Sequence, residues 1–194
     1  MFRGNKPVLI LPAILMIIMF IGGYQFLQTT GTTTNEDLKE VMELDLATTK
    51  VKDELQIEVN WDWTVMPAEG FYGTDYVGIA FIDKETGEIL HDAQFEESKL
   101  ELLYADRVIE ESVGTVVQNG IIFEFSNKLV EQESYGNLGR AIVTVRGKDV
   151  KPEDVQVHYL HTLVEHSPLV KEDATFQTPN FSNATNVPYW ILTR

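Results

Sequence analysis

The stretch Leu55–Val65, "LQIEVNWDWTV", alternates apolar and polar residues without a slip. Leu55, Ile57, Val59, Trp61, Trp63 and Val65 share one parity; Gln56, Glu58, Asn60, Asp62 and Thr64 share the other. A period of two belongs to a β-strand, where successive side chains point to opposite faces of a sheet. A face with two tryptophans among aliphatic residues is too apolar to be left in water, so it must meet a second sheet. The tryptophans are therefore read as core rather than as a platform for a ligand.

The remainder of the chain carries the same pattern. "YVGIAFID" is apolar on both parities, as in a strand buried on two sides, and the turn "DKETGE" after it has Gly87 for the positive φ a hairpin needs. "SKLELLYADRVIEESVGTVVQ" holds one or two strands, with a Leu100–Leu103 spacing that also fits a helical turn. Asn119–Gly120 marks a hairpin before "IIFEFSNKLV". "NLGRAIVTVRG" and "VQVHYLHTLVEH" alternate again, and "VPYWILT" closes the chain. About eight or nine short strands with turn residues between them predict an antiparallel sandwich or barrel. "VKPEDVQVHY" favours the sandwich, because it resembles the Pro-Glu-Asp turn before a core strand of immunoglobulin-like domains, where a tyrosine braces the corner. Antibody-type spacing would put that tyrosine at His158 instead of Tyr159, and no cysteine flanks it, so the resemblance is to a fold class and not to a family. The expected fold is all-β, an antiparallel β-sandwich of the immunoglobulin-like class after an N-terminal transmembrane helix.

That helix is expected from "PVLILPAILMIIMFIGGYQFL", Pro7–Leu27, which carries no charge. At about 1.5 Å per residue it spans the roughly 30 Å of a bilayer core. Arg3 and Lys6 precede it and no basic residue follows until Lys39, which keeps the N-terminus in the cytoplasm and the rest outside. A cleaved signal peptide, cut after Gly23, is the alternative; the apolar run is longer than such peptides carry, and no A-x-A site follows it. The expected organisation is a cytoplasmic tip over 1–6, an anchor over 7–27, a linker or ambiguous segment over 28–50, and an extracytoplasmic domain over 51–194. Within the third part, "NEDLKEVMELDL" reads as a helix capped by Asn35 or as a strand.

The net charge is −15, and 13 basic residues face 30 acidic ones outside the anchor. Such a surface repels nucleic acid and anionic lipid headgroups. There is no cysteine, so no disulfide and no lipid-anchored cysteine is available. This usage suits a Gram-positive bacterial surface.

Chemical motifs are sparse. Neither G-x-S-x-G nor a phosphate-binding glycine loop occurs, so no catalytic residue and no cofactor site is expected. His158, His161 and His166 cluster beside Glu165, but on a strand His158 and His161 point to opposite faces, so no metal site is expected. "DKETGE" lacks the order of a calcium loop. The paired acids Glu96–Glu97 and Glu110–Glu111 read as a solvated face. The candidate contact residues are Phe71 and Tyr72, set between Gly70 and Gly73 in the loop after the tryptophans. The expected function is that of a membrane-anchored, non-enzymatic binding module, an accessory or interaction protein of a bacterial cell-envelope complex with an unknown protein or envelope component as partner. The rival is a metal-binding protein or metal-dependent enzyme that uses the His158–His166 segment.

Overall fold

The computed structural model describes residues 6–29, 32–90, 93–147 and 150–194, with side chains of the first helix given for 12–24 alone. His91 lies outside the described residues. The chain divides into two compact units, Met1–Thr32 and Thr33–Arg194. The first contains helix α1, Lys6–Thr29. Between Ile14 and Ile21 its apolar side chains are each at least half exposed. The expected span Pro7–Leu27 is not shown as such: among the described residues no helix is long and apolar enough to cross a membrane.

The second unit opens with one helical turn, α2 (Leu38–Val41), and runs straight into strand β1 (Met42–Val51). Helix and strand are thus both present in the ambiguous segment. Asn35 is not the cap; Asp37 occupies that position. The strands that follow are β2 (Glu54–Trp63), β3 (Thr74–Phe81), β4 (Gln94–Tyr104), β5 (Arg107–Ser112) and β6 (Thr115–Val117). After them come β7 (Gly120–Ser126), β8 (Lys128–Val130), β9 (Glu133–Tyr135), β10 (Leu138–Arg146), β11 (Val155–Thr162) and β12 (Tyr189–Thr193). Ten of these form two five-stranded sheets, ordered β1-β2-β10-β4-β5 and β12-β11-β3-β7-β6, and β8 with β9 makes a small ribbon. Every pairing is antiparallel.

In the first sheet β1-β2-β10-β4 reproduces the A-B-E-D order of immunoglobulin-like domains, and in the second β12-β11-β3-β7 reproduces G-F-C-C′. The connection differs. The chain visits the D position (β4) before the C′ position (β7), and β5–β6 carries it from the edge of one sheet to the edge of the other. The hairpin before β7 pairs Val117 with Gly120, so its two turn residues are Gln118 and Asn119, one position earlier than Asn-Gly would place them. Gly87 takes the expected positive φ of 73°.

The core lies between the sheets. Leu55, Ile57, Val59, Trp61 and Trp63 point inward from β2, joined by Phe81, Phe123, Val143 and Val157 from other strands. β2 stops at Trp63, so Val65 falls in a loop and is 43% exposed; the alternation outlasts the strand by two residues. Trp61 stacks on Phe125 at 5.0 Å and donates its indole N–H to the carbonyl of Gly136 at 2.8 Å. A Cβ on Gly139 would lie 2.3 Å from the Trp61 ring, so only glycine lets β10 pass over the indole. The Pro-Glu-Asp corner is a short 3-10 turn, Pro152–Asp154. Asp154 braces it, accepting the N–H groups of Lys84 and Lys151. Tyr159 does not: its hydroxyl donates to the Asp75 carboxylate within the core.

β3 is buried on both faces, as its sequence requires. Its inner side joins the main core, and its outer side is roofed by residues 163–188, the long loop between β11 and β12. Leu169, Ala174, Phe176 and Phe181 of that loop pack on Tyr76, Ala80, Ile122 and Leu160. The loop comes so close that a Cβ on Gly78 would sit 2.0 Å from the Ala174 carbonyl oxygen.

Candidate functional site

One end of the sandwich gathers the loop between β2 and β3, the turn after β7 and the start of the long loop. Antiparallel pairing brings them together: Thr74 pairs with Ser126, and Leu160 with Tyr76. Between them is a cleft of about 450 Å³, lined by Phe71, Tyr72, Asn127, Leu129, Glu165 and His166 among others. Leu129 of its lining is 62% exposed, and Val65 and Met66 of the loop between β2 and β3, Val130 of β8 and Val164 of the long loop are between 41% and 45% exposed. The chain also enters the domain here, since Ala68 donates its N–H to the Thr33 carbonyl.

Phe71 and Tyr72 line this cleft, though neither stands free at a loop tip. Phe71 stacks on Trp63, ring centroids 5.8 Å apart and planes 10° from parallel. The Tyr72 hydroxyl accepts a hydrogen bond from the Asn35 side chain at 3.2 Å. Both are half-buried. An aromatic ring beside a core tryptophan gains more from stacking than from water, which folds the loop back. The two residues thus form a fixed wall of the cleft.

The three histidines do not converge. His158 points to the outer side of its sheet, where Nδ1 meets the Thr193 hydroxyl at 3.2 Å and Nε2 is buried without a partner. Burial holds its imidazole below the ordinary range, partly offset by Asp173. His161 points inward and meets Asp75 at 2.8 Å. His166 lies on the long loop, where Nδ1 faces the Ser167 carbonyl at 2.7 Å and Nε2 the Thr162 hydroxyl at 3.1 Å. Among the described residues no three His, Asp or Glu side chains gather as metal ligands.

Behind the cleft wall is a polar chain that sequence reading missed. Trp63 donates its indole N–H to the Tyr159 hydroxyl at 3.2 Å, and Tyr159 donates to Asp75 at 2.7 Å. Asp75 also accepts the N–H of Thr162 at 3.2 Å and faces His161. On the other side of the ring stands Asn35, 3.3 Å from Nε2. Asp75 and His161 are 0% and 1% exposed. The signal was present in parity: Asp75 shares its side of β3 with Val77, Ile79 and Phe81, and His161 shares its side of β11 with Val157 and Tyr159. Two ionisable residues on core parities of neighbouring strands need each other, because a lone buried charge is very costly.

No protein-family model and no curated protein matches the chain. Among solved structures it is similar to ACE19, the collagen-binding subdomain of the Enterococcus faecalis surface protein ACE, with 6% identity and a TM-score of 0.37 over 79% of this chain and 93% of that one. At that identity and score the likeness carries no argument about function, and the sandwich stands on its own strand order.

Proposed function

We propose that this protein is a single-pass membrane protein whose β-sandwich lies outside the cell and binds a protein or envelope component without catalysing a reaction. The observation that carries the reading is the cleft at the end of the sandwich: an aromatic wall held rigid by the core, with exposed apolar side chains on the segments that form it. Rigid aromatic surface forms interfaces at low entropic cost, and exposed apolar side chains on the segments that form a cleft favour docking there. The anchor rests on the uncharged Pro7–Leu27 run with positive charge on its N-terminal side, and on the exposed apolar side chains of α1. The acidic surface disfavours nucleic acid.

The test is co-purification from native membranes with wild-type protein and with a Phe71→Ser, Tyr72→Ser double variant, each checked for folding by near-ultraviolet circular dichroism. A folded variant that no longer retains the partner supports the reading; a folded variant that retains it removes the cleft from the interface. Protease added to intact protoplasts should remove a C-terminal tag and spare an N-terminal one, and the opposite pattern would refute the orientation. A stoichiometric metal in the purified protein, lost with partner binding on His166→Ala, would instead support the metal-dependent rival.

A further inference from the structure

The charges in and beside the cleft do not balance. Lys128 belongs to its lining, but its ammonium is committed: Nζ meets Glu110 at 2.7 Å and lies 4.7 Å from the Tyr135 ring centroid. His166 has both ring nitrogens occupied within the protein, by the Ser167 carbonyl and the Thr162 hydroxyl. Glu165, also in the lining, is exposed, and among the described residues it meets no cation and accepts no hydrogen bond. Glu69 stands close to the cleft wall, because Asn35 Nδ2 donates both to it at 2.8 Å and to the Tyr72 hydroxyl at 3.2 Å. A neutral amide solvates a carboxylate without cancelling its charge.

The wall beside these carboxylates is aromatic. Trp63 covers one face of the Phe71 ring, and Phe71 is only half-buried, so part of its remaining surface is open to the cleft it lines. An aromatic face carries partial negative charge and attracts a cation, and a ring clamped on a tryptophan offers that face without first being ordered. Leu129 adds an exposed aliphatic surface to the lining. Over the whole domain 30 acidic residues against 13 basic ones repel anions and draw cations in. A clamped ring, a free carboxylate and an aliphatic surface suit one kind of side chain, a flat cation on an apolar stem. The guanidinium of arginine is that cation: it stacks on rings and pairs with a carboxylate through two parallel hydrogen bonds, whereas the lysine ammonium is a compact charge that holds its water more strongly.

We propose that the cleft receives an arginine side chain from a partner protein, with the guanidinium on the Phe71 ring and toward the Glu165 carboxylate, and the stem on Leu129. This rests on the reading of the cleft as the interface and adds what the partner must present there. An uncharged envelope glycan brings no cation to Glu165, and an anionic one is repelled. Because Glu165 is exposed, added salt screens the contact and weakens it.

The experiment titrates the full-length protein in uncharged detergent micelles, ¹³C-labelled at leucine methyl groups and phenylalanine rings. The probes are three acetylated and amidated pentapeptides, glycine throughout except for a central arginine, lysine or leucine, and the neutral sugar chitotriose. The arginine peptide should shift the Leu129 methyl and Phe71 ring resonances saturably and the lysine peptide more weakly, while the leucine peptide and chitotriose leave them in place. Glu165→Gln, on an exposed loop, should weaken the arginine peptide about three- to fivefold, the measure of one exposed ion pair. Phe71→Leu, which keeps the bulk and removes the ring face, should weaken it by a similar factor of about three to five. An arginine peptide that shifts nothing, a leucine peptide that binds as tightly, or chitotriose that binds in its stead overturns the proposal. In co-purification from native membranes, Glu165→Gln should release the partner at lower salt than wild type does. A partner lost from the Phe71→Ser, Tyr72→Ser variant but held by Glu165→Gln at every salt concentration overturns the arginine and leaves the cleft as the interface. A partner held by both variants overturns the two together.

Discussion

The two sheets of this sandwich share one core but treat their outer faces in opposite ways. The outer face of the β1-β2-β10-β4-β5 sheet is solvated and crossed by ion pairs. Lys99 meets Glu101 and Glu111 at 2.6 and 2.8 Å, Arg140 meets Glu101, and Arg146 bridges Glu54 and Glu96. Glu101 lies beneath this layer; the hydrogen bond from Lys99 holds its carboxyl below the usual range, against the cost of desolvation and with help from Arg140. The outer face of the β12-β11-β3-β7-β6 sheet is instead roofed over Tyr76, Ala80, Ile122 and Leu160 by residues 163–188. The roof is pinned by polar contacts as well. Asn119 donates to Asp173 at 2.7 Å and accepts the Ala174 amide at 2.9 Å, and Lys171 meets Glu124 at 2.7 Å. A solvated face tolerates change because water replaces what is lost, whereas a roofed face transmits every change in volume.

Four substitutions test that contrast, starting with the core both sheets share. Trp61→Ala should cost about 3–5 kcal/mol, the penalty for emptying an aromatic core position. Urea unfolding measures it, and a cost below about 1 kcal/mol would mean the sheets are not held together there. Gly78→Ala acts on the roof alone. Its new methyl meets the Ala174 carbonyl, so the loop must lift, at a cost of about 1–3 kcal/mol for overpacking. Limited proteolysis should then cut within 163–188 while the strands stay intact; an uncut loop would show that the roof yields without opening.

A smaller effect comes from His158 under the roof. Burial lowers its affinity for a proton, so the unfolded chain protonates at higher pH than the folded one. Its contribution is therefore complete above the ordinary imidazole value of 6.5 and is lost as the pH falls below it, until the folded ring also protonates. His158→Gln should flatten the stability profile on the acid side of that value, and an unchanged slope would show that the roof does not desolvate the ring. The smallest effect belongs to the solvated face: Gln56→Ala, exposed on β2, should stay within about 0.5 kcal/mol by thermal unfolding.

The contrast between the faces was legible in part. "YVGIAFID" has no polar parity, and β3 is indeed buried on both sides; β2 has one, and its outer side is wet. What lies over β3 was not legible, because 163–188 has no periodicity and reaches its place through contacts far apart in sequence, such as Leu169 with Tyr76. Likewise Phe71 and Tyr72 were selected by flanking glycines, but a glycine pair cannot say whether a ring faces water or a tryptophan eight residues back.

Local periodicity determined by itself which side of each strand turns inward, since side chains alternate whatever the strand pairs with. From that alone followed an all-β sandwich or barrel and the buried tryptophans, and the Pro-Glu-Asp turn favoured the sandwich. The tertiary structure decided everything that depends on what an inward side chain meets. It set the order of β4 and β7, moved Tyr159 from a corner to a carboxylate, and brought Asn35, Asp75 and His161 into one chain. The physical reason is that periodicity is a property of neighbours along the backbone, whereas a hydrogen bond between residues 126 positions apart exists only once the sheets have closed.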